Sequence, residues 1–287
     1  MTINPNWNAG HCPEEINAVH IVNMPAVVAL YRYPVKGFTP EACNTLTILS
    51  EGRIAGDRVL AFRFANSRLP DAAWSRKHEC VVLMNTPGLA RLDVRFDHRA
   101  LRLRISLDGA VLADAALDDG GRKRLSAAIE HFVLALAENP LSGHPERLPL
   151  KLVGDGSTPR YQDNEGGQAT LHSRESLAAV AAAAGNPDLS EIRFRSNIVI
   201  DGVSAWEEQG WLGRAIRIGR VEFDVVRHKT RCLATHANPR TGRRDSPVMP
   251  VLMTAFSQKE PTFAVGMVTR GASGEVRVGD EVSLVEG

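Results

Sequence analysis

Long hydrophobic runs and an excess of charge of either sign are both absent from this 287-residue sequence. No window approaches the roughly 18 consecutive apolar residues that a transmembrane helix needs. The 34 Lys and Arg residues nearly balance the 33 Asp and Glu residues, which argues against a surface that binds nucleic acid. Residues 1–25 have no basic start and no apolar segment, so they do not resemble a signal peptide. We therefore expect a soluble, cytoplasmic protein that binds neither nucleic acid nor a membrane.

Cysteine is scarce, and its spacing excludes the common cysteine-based sites. Cys12, Cys43, Cys80 and Cys232 are each at least 31 positions from the next one. There is no CxxC pair for a zinc ribbon or a redox-active dithiol, and we expect no iron–sulfur cluster in this chain. Cys80 lies in an apolar run that predicts a packed core position, whereas Cys232 has no such surroundings.

Familiar catalytic and nucleotide-binding motifs are missing as well. The sequence has no GxGxxG or GxxxxGK[ST] loop, which disfavours nucleotide cofactors bound in that way. It also has no GxSxG nucleophile turn and no HExxH zinc helix.

Short apolar runs separated by turn residues predict a mostly β protein with a few helices, in the α+β class. The predicted strands are 26–33, 46–49, 59–64, 81–84, 92–96, 101–107, 111–115, 197–200, 215–218, 221–226, 263–268 and 282–285. Apolar residues at three- and four-residue steps predict a helix over 122–137. A second helix is expected to begin after Ser173 and to end at Gly185, and a short third one to span 247–256.

The order of these elements predicts two β-rich domains, each a barrel rather than a parallel α/β sheet. Residues 1–25 lack periodicity and are expected to be a poorly ordered arm. The first domain is predicted over 26–147 and the second over 148–287, with Pro140 and Pro145 in the linker.

The segment 214–244 is the most basic part of the sequence. It opposes nine basic residues to two acidic ones, Glu222 and Asp224. The basic residues are Arg214, Arg217, Arg220, Arg227, Lys229, Arg231, Arg240, Arg243 and Arg244. Two interpretations stay open: solvated strand and loop faces, or a pocket for an anion such as a phosphate. Arginine suits the pocket because its planar group contacts two oxygens at once.

Cys232 lies inside this basic segment, directly after Thr230 and Arg231. Neighbouring positive charge favours the thiolate, which is the nucleophilic and metal-binding form of cysteine and a soft metal ligand. His228 and His236 stand four residues to either side, and a continuous strand would place all three side chains on one face. A His/Cys/His zinc site is therefore an alternative to a site that uses the thiolate alone.

Three further basic residues stand at the ends of predicted strands. Lys36 follows the first strand in Tyr33-Pro34-Val35-Lys36-Gly37, and arginines begin strands in Gly56-Asp57-Arg58 and Arg195-Ser196-Asn197. Each arrangement is typical of an ordinary surface turn, and each also suits a contact with a phosphate.

Taken together, these segments resemble the MOSC family, named for the C-terminal domain of molybdenum cofactor sulfurase. Tyr33-Pro34-Val35-Lys36-Gly37 and Gly56-Asp57-Arg58 resemble the N-terminal β-barrel domain that precedes MOSC domains. The second block resembles the MOSC domain itself in Phe194-Arg195-Ser196-Asn197-Ile198-Val199, Trp206-Glu207-Glu208, Trp211, Ile218-Gly219, Thr230-Arg231-Cys232, Asn238-Pro239, Thr241-Gly242 and Val278-Gly279-Asp280-Glu281-Val282. The resemblance spans about residues 26–286 and implies a barrel-like N-terminal domain packed on a MOSC barrel.

The nearest functional model in this family is the mitochondrial amidoxime reducing component with its bacterial relatives. The resemblance implies a molybdenum–pterin cofactor and the reduction of N-hydroxylated or N-oxide compounds by oxygen-atom transfer to molybdenum. It makes Cys232 the expected molybdenum ligand and catalytic residue. The cofactor-binding residues that it implies are Lys36, Arg58, Ser173, Arg195, Asn197, Thr230, Arg231 and Cys232.

Some members carry a ferredoxin-type domain or a membrane anchor, and neither is recognised in this sequence. We therefore expect electrons to come from a separate donor protein, and the substrate to be a small N-oxygenated molecule. Two alternatives stay open. Cys232 could carry a persulfide, or hand over the cofactor, in a delivery protein. The basic segment could instead serve a non-catalytic module that binds an anionic partner.

Overall fold

The computed structural model describes residues 24–271 and 273–286. The arm predicted over residues 1–25 lies outside this part of the chain, apart from its last two residues.

Fifteen strands are the main regular secondary structure of the described residues. They are β1 (Ala26–Arg32), β2 (Glu41–Cys43), β3 (Thr45–Ile48), β4 (Ala61–Arg63), β5 (Leu92–Asp97), β6 (Arg102–Leu107), β7 (Ala110–Ala116), β8 (Lys151–Val153), β9 (Ala169–Ser173), β10 (Ile198–Asp201), β11 (Ala215–Ile218), β12 (Val221–Thr230), β13 (Thr262–Thr269), β14 (Gly274–Arg277) and β15 (Val282–Leu284). The prediction of a mostly β protein in the α+β class is confirmed.

The three predicted helices are present. Helix α1 spans Asp119–Leu134, α2 spans Arg174–Ala183 and α3 spans Val248–Ala255. Local signals explain the starts of α1 and α2, because the Asp118 carboxylate accepts a hydrogen bond from the Gly121 amide, and the Ser173 hydroxyl accepts one from the Ser176 amide. The α1 side chains that recur at three- and four-residue steps are buried, as an amphipathic helix requires.

The largest sheet joins the two ends of the chain. Its order is β15-β11-β12-β13-β9-β10-β1-β2, and the pair β9–β10 is its one parallel pair among the described residues. Strands β1 and β2 thus extend a sheet built from the second half of the sequence. Likewise, β3 pairs with β14 and β4 pairs with β8. The predicted division at residue 147 stays a prediction.

The structure corrects the prediction that each domain is a barrel. Strands β15 and β2 lie at opposite edges of the large sheet, and no closed barrel is found among the described residues. Periodicity predicts each strand and the face that it buries, but it carries no information on whether the first and last strands of a sheet pair.

The strand predicted over 81–84 is also wrong. The Val81 amide does bond to the Phe62 carbonyl, as a strand would. The Asn85 side chain then accepts from the Val82 amide and donates to the Cys80 carbonyl, 3.0 Å away in each case. This side-chain bridge closes a turn, since asparagine competes with ladder hydrogen bonds for nearby backbone groups.

The described residues pack into two main hydrophobic cores. One is built mostly from residues 35–152, under the three-stranded sheet β5-β6-β7 and α1. The other lies against the large sheet and draws on strands from both ends of the chain. No helix in the described ranges is long and apolar enough to cross a membrane.

Candidate functional site

A cavity of about 420 Å³ opens where the end of β12 meets three loops. Strand β12 and the residues after it contribute Arg227, Lys229, Thr230, Arg231 and Cys232. The loops contribute Lys36 after β1, Arg58 before β4 and Arg195 before β10. Six of the eight predicted site residues therefore line one cavity, namely Lys36, Arg58, Arg195, Thr230, Arg231 and Cys232.

Cys232 stands at the start of a short 3-10 turn, Leu233–His236, that follows β12. The Cys232 carbonyl accepts hydrogen bonds from the Thr235 amide at 3.0 Å and from the Thr235 hydroxyl at 2.9 Å. These bonds fix the backbone of Cys232, while its half-buried side chain stays on the cavity surface.

Arg231 is held by backbone acceptors beside the thiol. Its guanidinium donates to the Lys229 carbonyl at 2.9 Å and to the Phe194 carbonyl at 2.7 Å. Burial is the main reason that the pKa of Arg231 falls to about 10, since it disfavours the charged form.

Lys36 is a buried cation, with 2% of its surface exposed. Its Nζ donates to the carbonyls of Tyr161 at 2.9 Å and Gln162 at 3.2 Å, and it lies 3.5 Å from the Asp163 carboxylate. Burial lowers the pKa of Lys36. The turn that presents it needs Gly37, whose φ is +78° and whose added Cβ would lie 2.6 Å from the Val82 backbone.

Arg58 and Arg195 both stack on the ring of Tyr33, each 4.4 Å from its centroid. Arg58 also pairs with the Asp57 carboxylate at 2.5 Å, and Arg195 donates to the Phe38 carbonyl at 2.5 Å. Burial, followed by the charge of Arg58, lowers the pKa of Arg195. For Arg58 burial acts in the same direction, but acidic neighbours led by Asp57 outweigh it and raise the pKa.

The cavity carries a strong excess of positive charge. Among the described residues that line it, nine are Lys or Arg and one, Asp163, is a carboxylate. The pKa of Lys229 falls to about 8, because of burial and then the charge of Arg231. The charges of nearby cations, led by Lys36 and Arg58, hold the pKa of Asp163 well below its ordinary range. A bound anion would relieve this crowding of cations.

The basic segment 214–244 does not act as one surface. Arg227, Lys229 and Arg231, at alternate positions along the chain, line the cavity. Arg217 instead pairs with Glu222 at 2.7 Å, and Arg244 pairs with Glu138 at 2.5 Å. The interpretation of this segment as an anion pocket is thus confined to Arg227, Lys229 and Arg231, and it stays a prediction.

The two remaining predicted site residues lie outside the cavity lining. Ser173 is buried at the start of α2, where its hydroxyl lies 3.0 Å from the Glu208 carboxylate. Asn197 is buried behind Arg58, and its amide group donates to the Tyr31 carbonyl and to Asp57. Thr230 lines the cavity but is exposed, with its hydroxyl 3.3 Å from Glu260.

The alternative zinc site is not supported. Strand β12 ends at Thr230, so the alternation that would align His228, Cys232 and His236 is broken. His236 accepts a hydrogen bond from the Met249 amide instead. Across residues 24–271 and 273–286, no group of three or more His, Cys, Asp or Glu side chains could hold a metal ion.

Sequence reasoning missed several cavity residues. Asp163, Trp74 and Arg76 lie in irregular segments, and Lys77 begins a three-residue 3-10 helix, so none of them carries a periodic signal. Arg227 and Lys229 were named only as part of the basic segment, and their two-residue spacing from each other and from Arg231 could have singled them out.

The comparison with protein families identifies the second half of the chain. A model of the MOSC domain matches residues 159–283. These residues form a MOSC domain. The resemblance seen in the sequence is thereby confirmed, and MOSC domains are associated with binding of the molybdenum cofactor. The cavity lies largely within this domain, although Lys36, Arg58 and the residues 74–84 come from the preceding part of the chain.

Comparisons with individual proteins add little. No curated protein matches the chain. Among solved structures it is similar to APC1665, the YuaD protein of Bacillus subtilis, at 11% identity and a TM-score of 0.40, over 90% of this chain and 94% of that one. YiiM of Geobacillus stearothermophilus matches at 17% identity and a TM-score of 0.32, over 42% of this chain and 57% of that one. Neither likeness is close enough to support an argument about function.

Proposed function

We propose that this protein is an oxidoreductase that binds a molybdenum–pterin cofactor in the cavity and reduces N-hydroxylated or N-oxide compounds. One observation carries the proposal: a cysteine thiol lies on the surface of a cavity that is lined by nine cationic side chains and one carboxylate. The MOSC domain that contains Cys232 supports the same cofactor.

The residues present fit such a group. The cofactor carries a phosphate and an anionic dithiolene, and its metal takes a soft thiolate ligand. The pKa values of Arg231, Lys229, Arg195 and Lys36 are all lowered, with burial as the main cause. An anion among these side chains would stabilise their charged forms, so the cofactor would supply the charge that the cavity lacks.

Each residue has a distinct task in this proposal. Cys232 would hold the metal, and Arg231, Arg195, Arg58 and Lys36 would surround the anionic groups of the cofactor. Backbone carbonyls accept hydrogen bonds from all four cations, and Asp57 also pairs with Arg58. These contacts limit the side-chain entropy that would be lost on binding.

When bound, the cofactor supplies two-electron chemistry that can accept an oxygen atom. The chain contributes binding, orientation and a cationic environment. The four cysteines are too widely spaced for a cluster motif, and so we propose that a separate protein delivers the electrons.

Molybdenum content tests the proposal. The protein and its Cys232→Ala variant are purified from a host that makes the pterin cofactor, and metal is measured by elemental mass spectrometry. Cys43→Ala is the matched control, since Cys43 is a half-buried thiol on β2 away from the cavity. We expect near-stoichiometric molybdenum in the parent and Cys43→Ala proteins and none in Cys232→Ala.

Turnover is then measured with benzamidoxime and a reduced viologen, and it should be lost with Cys232→Ala. Absence of molybdenum, in a host that loads a known molybdoenzyme, would contradict the proposal. Cyanide-releasable sulfur on Cys232 in that metal-free protein would favour sulfur or cofactor delivery instead.

A further inference from the structure

Seven of the nine cations that line the cavity fall into two groups, and the other two, Arg193 and Lys229, donate to the side chains of Asp245 and Gln168. The inner group consists of Lys36, Arg58, Arg195 and Arg231, each of which donates to a carbonyl or carboxylate of the protein. The outer group consists of Arg76, Lys77 and Arg227. These three side chains are exposed and have no side-chain hydrogen bond or ion pair within the described ranges.

The outer group comes from two separate segments that meet at the cavity. Arg227 lies on β12, and a Cβ added at Gly266 on the neighbouring strand would lie 3.2 Å from its Cγ and 3.1 Å from Lys229 Cδ. The stems of both side chains therefore pass over the same glycine. Lys77 is close enough to Asp163 to help lower the pKa of that carboxyl.

A second cavity, of about 790 Å³, adjoins the first. The two share Trp74, Arg76 and His78. A hydrogen bond of 2.8 Å from the Trp74 indole nitrogen to the Gln162 carbonyl fixes the side chain at this boundary. A molecule that reacts near Cys232 therefore has room to extend past Arg76 and Trp74.

We propose that the substrate is an anionic N-oxygenated compound, whose carboxylate or phosphate is bound by Arg76, Lys77 and Arg227 while its N–O group points toward Cys232. This inference rests on the proposed function. In the proposed function, the inner cations bind the anionic groups of the cofactor. The outer cations are then available to bind a negatively charged group of the substrate. Charge-assisted hydrogen bonds from arginine would anchor such a group, and these three side chains would repel a cationic substrate.

A matched series of substrates tests this charge preference. The series is 4-carboxybenzamidoxime, benzamidoxime and 4-(trimethylammoniomethyl)benzamidoxime, which share one reacting group and differ in charge. The holoenzyme is assayed with a reduced viologen, so that no partner protein contributes. We expect kcat/KM to fall in the order anionic, neutral, cationic. The differences in kcat/KM between the three compounds should become smaller as salt is added.

Arg227→Gln locates the preference on the protein. We expect it to raise KM for the carboxylate about tenfold, the effect of losing one charge-assisted hydrogen bond, and to change KM for benzamidoxime less than twofold. Arg220→Gln is the matched control, because Arg220 is an exposed arginine that lines a different pocket. It should leave both KM values unchanged.

Calorimetric titration with the same three compounds, in the absence of a reductant, distinguishes the proposed charge preference from the proposed reductase activity. If no compound is reduced but the carboxylate binds more tightly than benzamidoxime, and Arg227→Gln removes that difference, the charge preference stands and the proposed reaction fails. Equal binding and turnover of all three compounds would overturn the charge preference while leaving the reductase intact. An Arg227→Gln effect no larger than that of Arg220→Gln would overturn it too.

Discussion

Arg58 donates a hydrogen bond from its guanidinium group to the carbonyl oxygen of Arg195, 3.2 Å away. Both residues have left-handed backbone conformations, with φ of 52° and 55°. This conformation costs a residue other than glycine about 1–2 kcal/mol, and such strain is concentrated at functional sites. Here it accompanies two guanidinium groups that stack on Tyr33 and line the same cavity.

Arg195→Gly distinguishes the effect of the strained backbone at this position from the effect of the guanidinium charge. Glycine relieves the left-handed backbone, and the stacking and hydrogen bonds that are lost have a similar size, so we expect the free energy of unfolding to change by about 1 kcal/mol or less. Molybdenum content should nevertheless fall at least severalfold, because the proposed contact between Arg195 and the cofactor is gone. Urea unfolding and elemental analysis measure the two effects.

Asp108→Gly is the control for this change. Asp108 also has a positive φ, of 50°, but it lies in the exposed turn between β6 and β7, outside the cavity lining. Its molybdenum content should equal that of the parent protein. Full metal loading of Arg195→Gly would remove Arg195 from the cofactor site.

Local signals explain why the helices could be predicted from the sequence. Ser173 before α2 and Gly185 after it satisfy backbone groups that every helix end leaves free. Two features could not be predicted in this way: the described part of the large sheet does not form a closed barrel, and residues 81–84 form a turn. They depend on pairings between distant strands and on one asparagine side chain.

The site shows the same division. Cys232 and Arg231 are adjacent in sequence, and so the effect of the arginine charge on the thiol could be predicted from the sequence. Asp163 and Arg76 reach the cavity from irregular segments and Lys77 from a three-residue 3-10 helix, and nothing in the sequence there indicates which way a charged side chain points.

Ser173→Ala should destabilise the protein without emptying the cofactor site. Its hydroxyl caps α2 through the Ser176 amide at 3.1 Å and is buried against Glu208. Loss of such a cap costs about 1–2 kcal/mol. Ser190→Ala is the matched control, because Ser190 precedes a short 3-10 turn without making a side-chain cap. If folded Ser173→Ala protein lost its molybdenum, the serine would have a cofactor role after all.

Acid stability should depend on one buried histidine. His172 is 1% exposed beside Phe263, neither ring nitrogen has a partner in the described structure, and burial lowers its pKa to about 3. The unfolded chain takes up a proton near pH 6.5 and the folded protein does not. The stabilising effect is therefore complete above pH 6.5 and is lost as the pH falls toward 3.

From pH 7 to pH 5, this histidine alone should lower the free energy of unfolding by about 2 kcal/mol. His172→Leu removes the titrating group, so its urea midpoint should fall less over that range. His144→Gln, an exposed histidine far from this core, is the control and should follow the parent protein. If the urea midpoints of His172→Leu and the parent protein fell equally between pH 7 and pH 5, His172 would not be the cause of the lower stability in acid.

Asp163 should oppose the binding of anions in the cavity. Its carboxylate is the one negative charge among the described lining residues, 3.5 Å from Lys36 Nζ and close to Arg58 and Arg195. In Asp163→Asn these cations lose a partner that is itself well solvated, so we expect a stability loss below about 1 kcal/mol at low salt. An anion that enters the cavity is no longer repelled by this carboxylate, and inorganic phosphate should bind about tenfold more tightly.

Calorimetric titration of cofactor-free protein with inorganic phosphate at low ionic strength measures this change in affinity. Asp93→Asn, at an exposed ion pair on β5, should bind phosphate as the parent does. Equal or weaker binding by Asp163→Asn would mean that the carboxylate positions the cations instead of competing with the ligand.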